Sequence, residues 1–565
     1  MPRKIPLGIE SFIKLRQDDY FYIDKTGFIK DWWNSADEVT LITRPRHFGK
    51  TVMLDTVNTF FSPDFAGSSL FEGLKIWEDE KFRNIQGTIP VMFLSFANIR
   101  SQKYDEAVED IKYNLWRVYE SSKQFLDPEE KFFLPIDPSM DDATAVDSLC
   151  FLIEYIARYY KTLPIILIDE YDKPLHNALL NGYWNQMIEF MHSLYLSTFK
   201  DNNYVGKGLI TGTTRIDNEL PFARLNTLNV YSITSDLYYD SFGFTEEEVF
   251  SAMNEYCLTD KENVKRWYDG FIFGSHTNIY NPRSVINYLA EKNFAPYCSK
   301  IILNSLVGDL IAKSKADDKD KIIALLQNKT VTIDMDEDIV FSKIDNTILS
   351  IWGLLMAEGY IKPIHIVNEY EYIFSSTYDL KITNLESQII FEKFISDWFN
   401  FDNEQNNIEK FRVALLSNKI EDMNIILGKI FKNTFSIFDN RKKYPEIFYT
   451  AFVLGLLVDL KGRYEILSNM ESIYGRRYDI SLVPKDTEDP GIVIGFKTFD
   501  EEKNLKDICN NALKQIKTKE YTSDLISRGV SSNNIYAYGF AFRGKKVLIC
   551  GGSYEKIPWD DIVEN

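Results

Sequence analysis

Hydrophobic positions along the first 240 residues fall in short unbroken runs rather than in strict alternation. "EVTLIT" (38–43), "IPVMFLSF" (89–96), "LPIILIDE" (163–170) and "KGLITGTT" (207–214) are separated by stretches with helical spacing. Apolar runs of this kind predict buried parallel strands joined by crossover helices, hence an α/β sheet domain over residues 1–240. From "FTEEEVFSAM" (244–253) onward the spacing changes. "SVINYLAEKN" (284–293) and "TILSIWGLLMAEGY" (347–360) place apolar residues three and four apart, which predicts a helical lid or connector over 241–435. Residues 436–565 read as one apolar helix, a run of strands, a polar amphipathic helix and two more strands, "NIYAYGFAF" and "KKVLICGG". That order predicts a second, smaller α/β domain.

Composition changes this picture in three places. With 565 residues, 45% of them hydrophobic and 26% charged, the chain is too long for one core and too apolar for extensive disorder. The net charge of −19 argues against a generally basic surface, but it is unevenly spread. From Arg441 onward there are 19 Lys/Arg against 18 Asp/Glu, so the first 440 residues carry −20 and the remainder +1. A nucleic-acid contact is therefore expected in the C-terminal part, near "RKK" (441–443), "RR" (476–477) and "KQIKTK" (514–519), although short basic clusters also serve as plain solvated faces. The five cysteines are scattered, with no CxxC pair, which argues for a reducing compartment and against structural zinc. The longest apolar run, "AFVLGLLVDL" (451–460), falls short of the roughly 18 residues a membrane span needs, and "MPRKIPLGIESF" has no signal-peptide core. The expectation is a cytoplasmic protein with no membrane partner, self-association into a homo-oligomer being left open.

Chemistry enters where the first strand ends. "EVTLIT" runs into "RPRHFGKTVMLDTVNTFF", with Gly49, Lys50 and Thr51 at the turn and helical spacing after them. A strand, a loop and GK[ST] opening a helix put backbone N–H groups on a phosphate, with Lys50 on the β/γ oxygens and Thr51 on Mg²⁺. "PIILIDEYD" supplies the partner: Asp169 to hold the metal and Glu170 to polarise the attacking water. The two motifs stand in order on separate strands and together predict an NTP site. "GLITGTTRI" (208–216) would offer Thr211, Thr213 and Arg215 to the γ-phosphate region, or carry only ordinary strand-end polarity.

"IPLGIESFIKLRQDDYFYIDKTGFIKDW" (5–32), "TRPRHFGKT" (43–51), "LIDEYDKPL" (167–175), "FGFTEEEV" (242–249), "WYDGFIFG" (267–274) and "YNPRSVINYL" (280–289) resemble the AAA-ATPase-like proteins that carry a C-terminal PD-(D/E)XK nuclease-superfamily domain. The resemblance implies an N-terminal P-loop NTPase sheet with a helical lid, followed by a restriction-endonuclease-like α/β domain. It implies ATP, Mg²⁺ and nucleic acid, DNA or RNA, as ligands, with Mn²⁺ an alternative at the C-terminal site. Arg44, where a general P-loop has its first glycine, agrees with these relatives, whereas His47 stands where they carry another Arg. Arg44, Arg46, Phe48, Gly49, Lys50, Thr51, Asp169 and Arg215 are then the expected nucleotide contacts. Tyr22, Asp24 and Lys25 match the family's "YxDKT" as pocket residues, with helix capping an equal alternative for Asp24.

The same resemblance assigns the C-terminal centre. Asp479, at the head of the strand "DISLVP", would hold a metal, and Lys497, in "GIVIGFK", would orient water and offset phosphate charge. Glu446 would be an accessory ligand, while Gln515 and Tyr521 would line the site. Gly495, however, occupies the position of the family's glutamate. Strand parity puts residues 495 and 497 on one face, so a side chain at 495 is expected to point at Asp479 and Lys497. A glycine cannot bind a cation, so the nuclease centre is expected to be impaired, with Gly495→Glu restoring cleavage. Two escapes stay open: Glu471 or Glu446 supplies the missing carboxylate, or the loss is recent or deliberate. The competing expectation is a nucleotide-switched binding protein without nuclease activity.

Overall fold

The four apolar runs become neighbouring strands. In the computed structural model, residues 2–122, 136–216, 221–298, 328–335, 349–367, 376–391, 405–434, 446–457, 462–468, 480–498, 504–518, 522–543 and 546–559 are described, with single positions or pairs at 318, 321–322, 324–325, 460 and 562. β1 (Val39–Thr43), β2 (Val91–Ser95), β3 (Ile165–Asp169), β4 (Lys207–Gly212) and β5 (Leu228–Tyr231) pair in parallel in the order β2-β3-β4-β1-β5. β1 and β3 are buried along their whole length, which is why their sequences are continuous apolar runs. β4 separates them. The ends of β1 and β3 are thus one strand apart, and the phosphate-loop helix (Lys50–Phe61) starts beside them. Phe28, Trp32 and Phe71 pack with Phe60 and Phe61 of this helix and bury one face of the sheet.

The stretch expected to be a helical connector is more mixed. It contains the helices Glu246–Glu255, Lys261–Tyr268, Pro282–Glu291 and Leu349–Ala357. It also forms two small sheets. β6 (Phe244–Thr245), β7 (Phe271–Phe273) and β8 (His276–Tyr280) pair in the order β6-β8-β7; β9 (Val331–Met335), β10 (Ile361–Val367) and β11 (Ser376–Ile382) pair in the order β10-β11-β9. These strands are short or interrupted by charged residues, as in "KPIHIV" and "YDLKI", so their alternation is faint beside the neighbouring helical periods. By contacts, residues 1–301 with 332–388 form one compact unit, and 302–331 with 389–565 form another.

The second unit contains the helix Glu446–Leu457, then β12 (Tyr464–Ser468), β13 (Ile480–Pro484) and β14 (Gly491–Thr498), a crossover helix (Leu505–Thr518), β15 (Ile535–Arg543) and β16 (Lys546–Ser553). The sheet order follows the sequence, β12-β13-β14-β15-β16, and only the β14–β15 pair is parallel. A parallel pair needs a crossover, and the amphipathic 505–518 segment supplies it. This helix packs on a glycine floor: Gly495 and Gly539 are register partners on β14 and β15. A Cβ on Gly539 would lie 2.5 Å from the Cys509 carbonyl oxygen, and one on Gly495 would lie 2.9 Å from that of Ala512. Cys509 and Cys550 are joined as a disulfide between this helix and β16, with Cα atoms 6.1 Å apart, a pairing that 41 residues of separation conceal in the sequence.

Gly539→Ala should push the crossover helix off the sheet at a cost of about 1–3 kcal/mol, the usual range for overpacking. Hydrogen exchange should speed up in β15 and in residues 505–518 and stay unchanged in β1, β3 and β4; unchanged exchange in the C-terminal sheet would contradict the close approach.

Candidate functional site

The loop between β1 and the phosphate-loop helix is built around three cations that do different work. Lys50 is buried, and its Nζ donates to the carbonyl oxygens of Arg44 at 2.8 Å and Pro45 at 2.9 Å. Burial pulls its pKa down, against the opposing pull of Glu170, Asp172 and Asp169. The ammonium therefore sits inside the curl of the loop with the acidic strand end facing it. Gly49 starts the helix at φ +80°, a left-handed conformation that glycine takes without strain, and a Cβ there would meet nothing within 4 Å. Space at Gly49 and a cation behind it are what a phosphate needs.

Arg44 corrects an expectation. It was expected to contact nucleotide, but its guanidinium is fully buried and donates to the carbonyl oxygens of Thr43, Tyr231, Ser232, Leu237 and Tyr238. Its Cζ lies 4.5 Å from the centre of the Phe273 ring. Burial lowers its pKa to about 9. Arg44 thus ties the loop to the turn after β5 instead of facing a ligand, and a glycine there would leave those carbonyls without a donor. Phe48 is buried against Phe271 and Phe273, at 4.7 and 5.4 Å between ring centres. Arg46 stays partly exposed and pairs with Glu358. His47 sits at φ +65° beside Arg283, whose Nη1 lies 3.2 Å from His47 Nε2; burial, then Arg283, Lys50 and Arg46, lower its pKa to about 3, so this imidazole is neutral.

Asp169 is the junction of the site. Its Oδ2 accepts from Thr51 Oγ1 at 2.9 Å and its Oδ1 from Thr211 Oγ1 at 2.8 Å. β3, β4 and the phosphate-loop helix are therefore joined at one carboxylate, 1% exposed. Burial raises its pKa, opposed by the two threonines and Lys50. Glu170 follows at φ +52°, a conformation uncommon outside glycine, which turns the backbone off the strand end; burial and then Asp169 raise its pKa. An acid with a raised pKa next to a carboxylate that holds two hydroxyls is an arrangement suited to proton transfer.

Of the other expected residues, Thr213 contributes its backbone, whose N–H donates to Asp172 Oδ2 at 2.9 Å, and Arg215 is half-buried just beyond. Asp172 also accepts from Thr214 N at 2.8 Å and Thr214 Oγ1 at 2.8 Å. It was missed, although "DEYD" displays it. Asn281 was missed as well: it caps the Pro282–Glu291 helix and its Nδ2 donates to the Arg46 carbonyl at 3.1 Å, which docks that helix on the loop. The Asn-Pro pair at a helix start was the available signal. On the far side of Gly49 lies a cavity of about 100 Å³, lined mainly by apolar groups and including Phe21, Tyr22, Lys25, Met53, Phe244 and Pro282. Asp24 instead organises a turn, its Oδ1 accepting from Thr26 N at 2.9 Å and its Oδ2 from Lys75 N at 2.7 Å.

In the second unit, Asp479, Tyr521 and Glu471 lie outside the described residues, as does the side chain of Glu446, whose backbone opens the 446–457 helix. Lys497 on β14 and Gln515 on the crossover helix are half-buried. Gly495 is the informative position. Parity does put it on the face of Lys497, but that face is covered: a Cβ would meet Ala512 O at 2.9 Å and Ile516 Cγ1 at 3.2 Å. A glutamate there has the crossover helix in its way. Among the described residues, no three His, Cys, Asp or Glu side chains converge as metal ligands, and no helix is long and apolar enough to cross a membrane.

Comparison with known proteins agrees with both halves. A curated relative from Azotobacter chroococcum mcd 1, described as an uncharacterised protein in the vnfD 5′ region, is 26% identical over 330 residues, covering 56% of this chain. The chain spans only 57% of that relative's length. Among solved structures, the Aeropyrum pernix ORC2 protein, in ADPNP-ADP complexes, matches at 10% identity over 66% of this chain and 92% of its own, with a TM-score of 0.23, too loose to decide anything. Residues 6–220 match the family described as "Predicted AAA-ATPase", and residues 444–551 match the PD-(D/E)XK nuclease superfamily. The chain carries an AAA-ATPase-like region at 6–220 and a PD-(D/E)XK nuclease-superfamily domain at 444–551.

Proposed function

We propose that the N-terminal unit binds and hydrolyses ATP or a related nucleotide with Mg²⁺, and that the C-terminal domain engages nucleic acid with its cleavage centre impaired. The first half rests on Asp169, held between Thr51 and Thr211 with Lys50 behind the loop. A hydroxyl and a carboxylate are hard oxygen donors that fit Mg²⁺, so Thr51 and Asp169 would hold it. When bound, the metal supplies charge neutralisation on the phosphate oxygens. Lys50 trades its two loop carbonyls for phosphate oxygens, and the N–H groups around Gly49 receive the same anion. Glu170 takes a proton from water at its carboxylate, a role favoured by its raised pKa. The apolar cavity beside Gly49 has room and chemistry for the flat face of a base, with Tyr22 and Lys25 at its wall.

Lys50→Ala should weaken nucleotide binding by about a hundredfold or more, as loss of a buried charged partner does. Glu170→Gln should keep binding and slow hydrolysis by about 10²–10⁴-fold. Equilibrium titration with a fluorescent nucleotide and phosphate release measure the two effects; unchanged affinity in Lys50→Ala ends the assignment.

For the C-terminal domain, impaired cleavage rests on Gly495 having no carboxylate to offer, and the close approach of Ala512 and Ile516 to that position favours the reading in which the domain only recognises nucleic acid or protein. Gly495→Glu is accordingly expected not to restore activity: with Mg²⁺ or Mn²⁺, on single- and double-stranded DNA and RNA, both proteins should cleave little, and the variant should melt at lower temperature. Robust cleavage by the unaltered chain that Asp479→Ala removes would show an intact nuclease.

A further inference from the structure

One acidic side chain reaches the phosphate loop from 312 residues away. Glu358 follows the Leu349–Ala357 helix, and its carboxylate meets Arg46 Nε at 3.2 Å through Oε1 and 3.1 Å through Oε2. Its side chain is 1% exposed, that of Arg46 20%. The turn that carries it is tightly held. The N–H groups of Glu358, Gly359 and Tyr360 donate to the carbonyls of Leu354, Met356 and Leu355, each at 2.9 Å, and Thr383 Oγ1 donates to the Gly359 carbonyl at 2.7 Å. Gly359, at φ +80°, lies against the loop: a Cβ there would come 3.2 Å from Pro45 Cβ. The backbone that carries Glu358 is thus fixed against the loop.

The pair faces the place where phosphates are expected. Arg46 is also under the influence of Asp172 and Glu170, and Glu358 under that of Lys50. Burial pushes the Glu358 carboxyl up and Arg46 opposes it, so a Glu358 stripped of its partner is a buried charge without compensation. An entering phosphate competes with Glu358 for the same guanidinium.

We propose that Glu358 is a specificity-determining residue that limits the preference for triphosphate over diphosphate. A ligand that ends at the β-phosphate leaves the Arg46–Glu358 pair in place, whereas a γ-phosphate must win Arg46 from the carboxylate and leave that buried charge without its partner, which costs the triphosphate part of its affinity. Triphosphate binding thereby breaks the Arg46–Glu358 pair, whereas diphosphate leaves it in place. The proposal rests on the nucleotide reading above.

A double-mutant cycle read as the ratio of ADP to non-hydrolysable ATP-analogue dissociation constants, with Mg²⁺, tests it. Glu358→Gln, which keeps the side chain's shape, should raise the ratio at least about fivefold, the lower end of typical coupling. Arg46→Gln should lower it, and Glu358→Gln should have no further effect on the ratio in the Arg46→Gln background. Equal shifts for both ligands, as a general loosening of the fold would produce, or an unchanged ratio, overturn the proposal. If Glu358→Gln does not fold, Arg46→Gln alone decides: it must weaken the triphosphate analogue and spare ADP. Lys50→Ala in the same titration separates the two levels, since retained binding there defeats the nucleotide reading itself, while lost binding there with an unchanged ratio in Glu358→Gln defeats only the role of Glu358.

Discussion

The carboxylate of Asp169 is the constraint on which the N-terminal unit turns. It is buried at the end of β3 and accepts one hydroxyl from the phosphate-loop helix and one from β4. Hydrogen bonds to an ionised group contribute about 1.5–3 kcal/mol each, and an unpaired carboxylate at this depth would cost more than that. The two threonines are therefore not incidental: they make a buried charge tolerable and fix the start of the helix relative to two strand ends. The β2-β3-β4-β1-β5 order makes the junction reachable, because the strand between β1 and β3 is the one carrying Thr211.

Around that junction the loop is held from outside rather than by its own glycines. Arg44 reaches back to the turn after β5, Asn281 docks a helix on the Arg46 carbonyl, and Glu358 takes the Arg46 side chain. Each anchor comes from a different part of the first unit. Cations of the loop are thus divided between holding its shape, as Arg44 does, and facing the acidic strand ends, as Lys50 and Arg46 do. A loop so anchored has less freedom to lose when a ligand arrives.

Much of this was legible because buried parallel strands have a plain sequence signature. β1 to β4 lie within the four apolar runs, and Thr51 does meet Asp169. β5, "LNVY", is partly exposed at the edge of its sheet and has no such run, so it was not read. The small sheets between residues 244 and 382 were hidden by neighbouring helical periods. Contacts spanning hundreds of residues leave no local trace, which is why the five carbonyl partners of Arg44 and the carboxylate on Arg46 were invisible. Position 495 shows the limit most clearly. Period-two alternation correctly assigned its face, but what covers that face depends on how closely the crossover helix packs, and Gly539 and Gly495 together set that distance. Parity aims position 495 along the face of Lys497; in the fold the crossover helix rests there.

The proposed role of Thr51 and Asp169 is to hold a divalent cation against a nucleotide whose phosphates bind at Lys50. Calorimetric titration of the intact chain with ATP, in the presence of Mg²⁺ and again with the metal chelated, tests it most directly. The predicted result is one binding site that tightens by about tenfold or more with Mg²⁺, equal to about 1.4 kcal/mol. Equal affinity with and without the metal, or no binding in either condition, would contradict it.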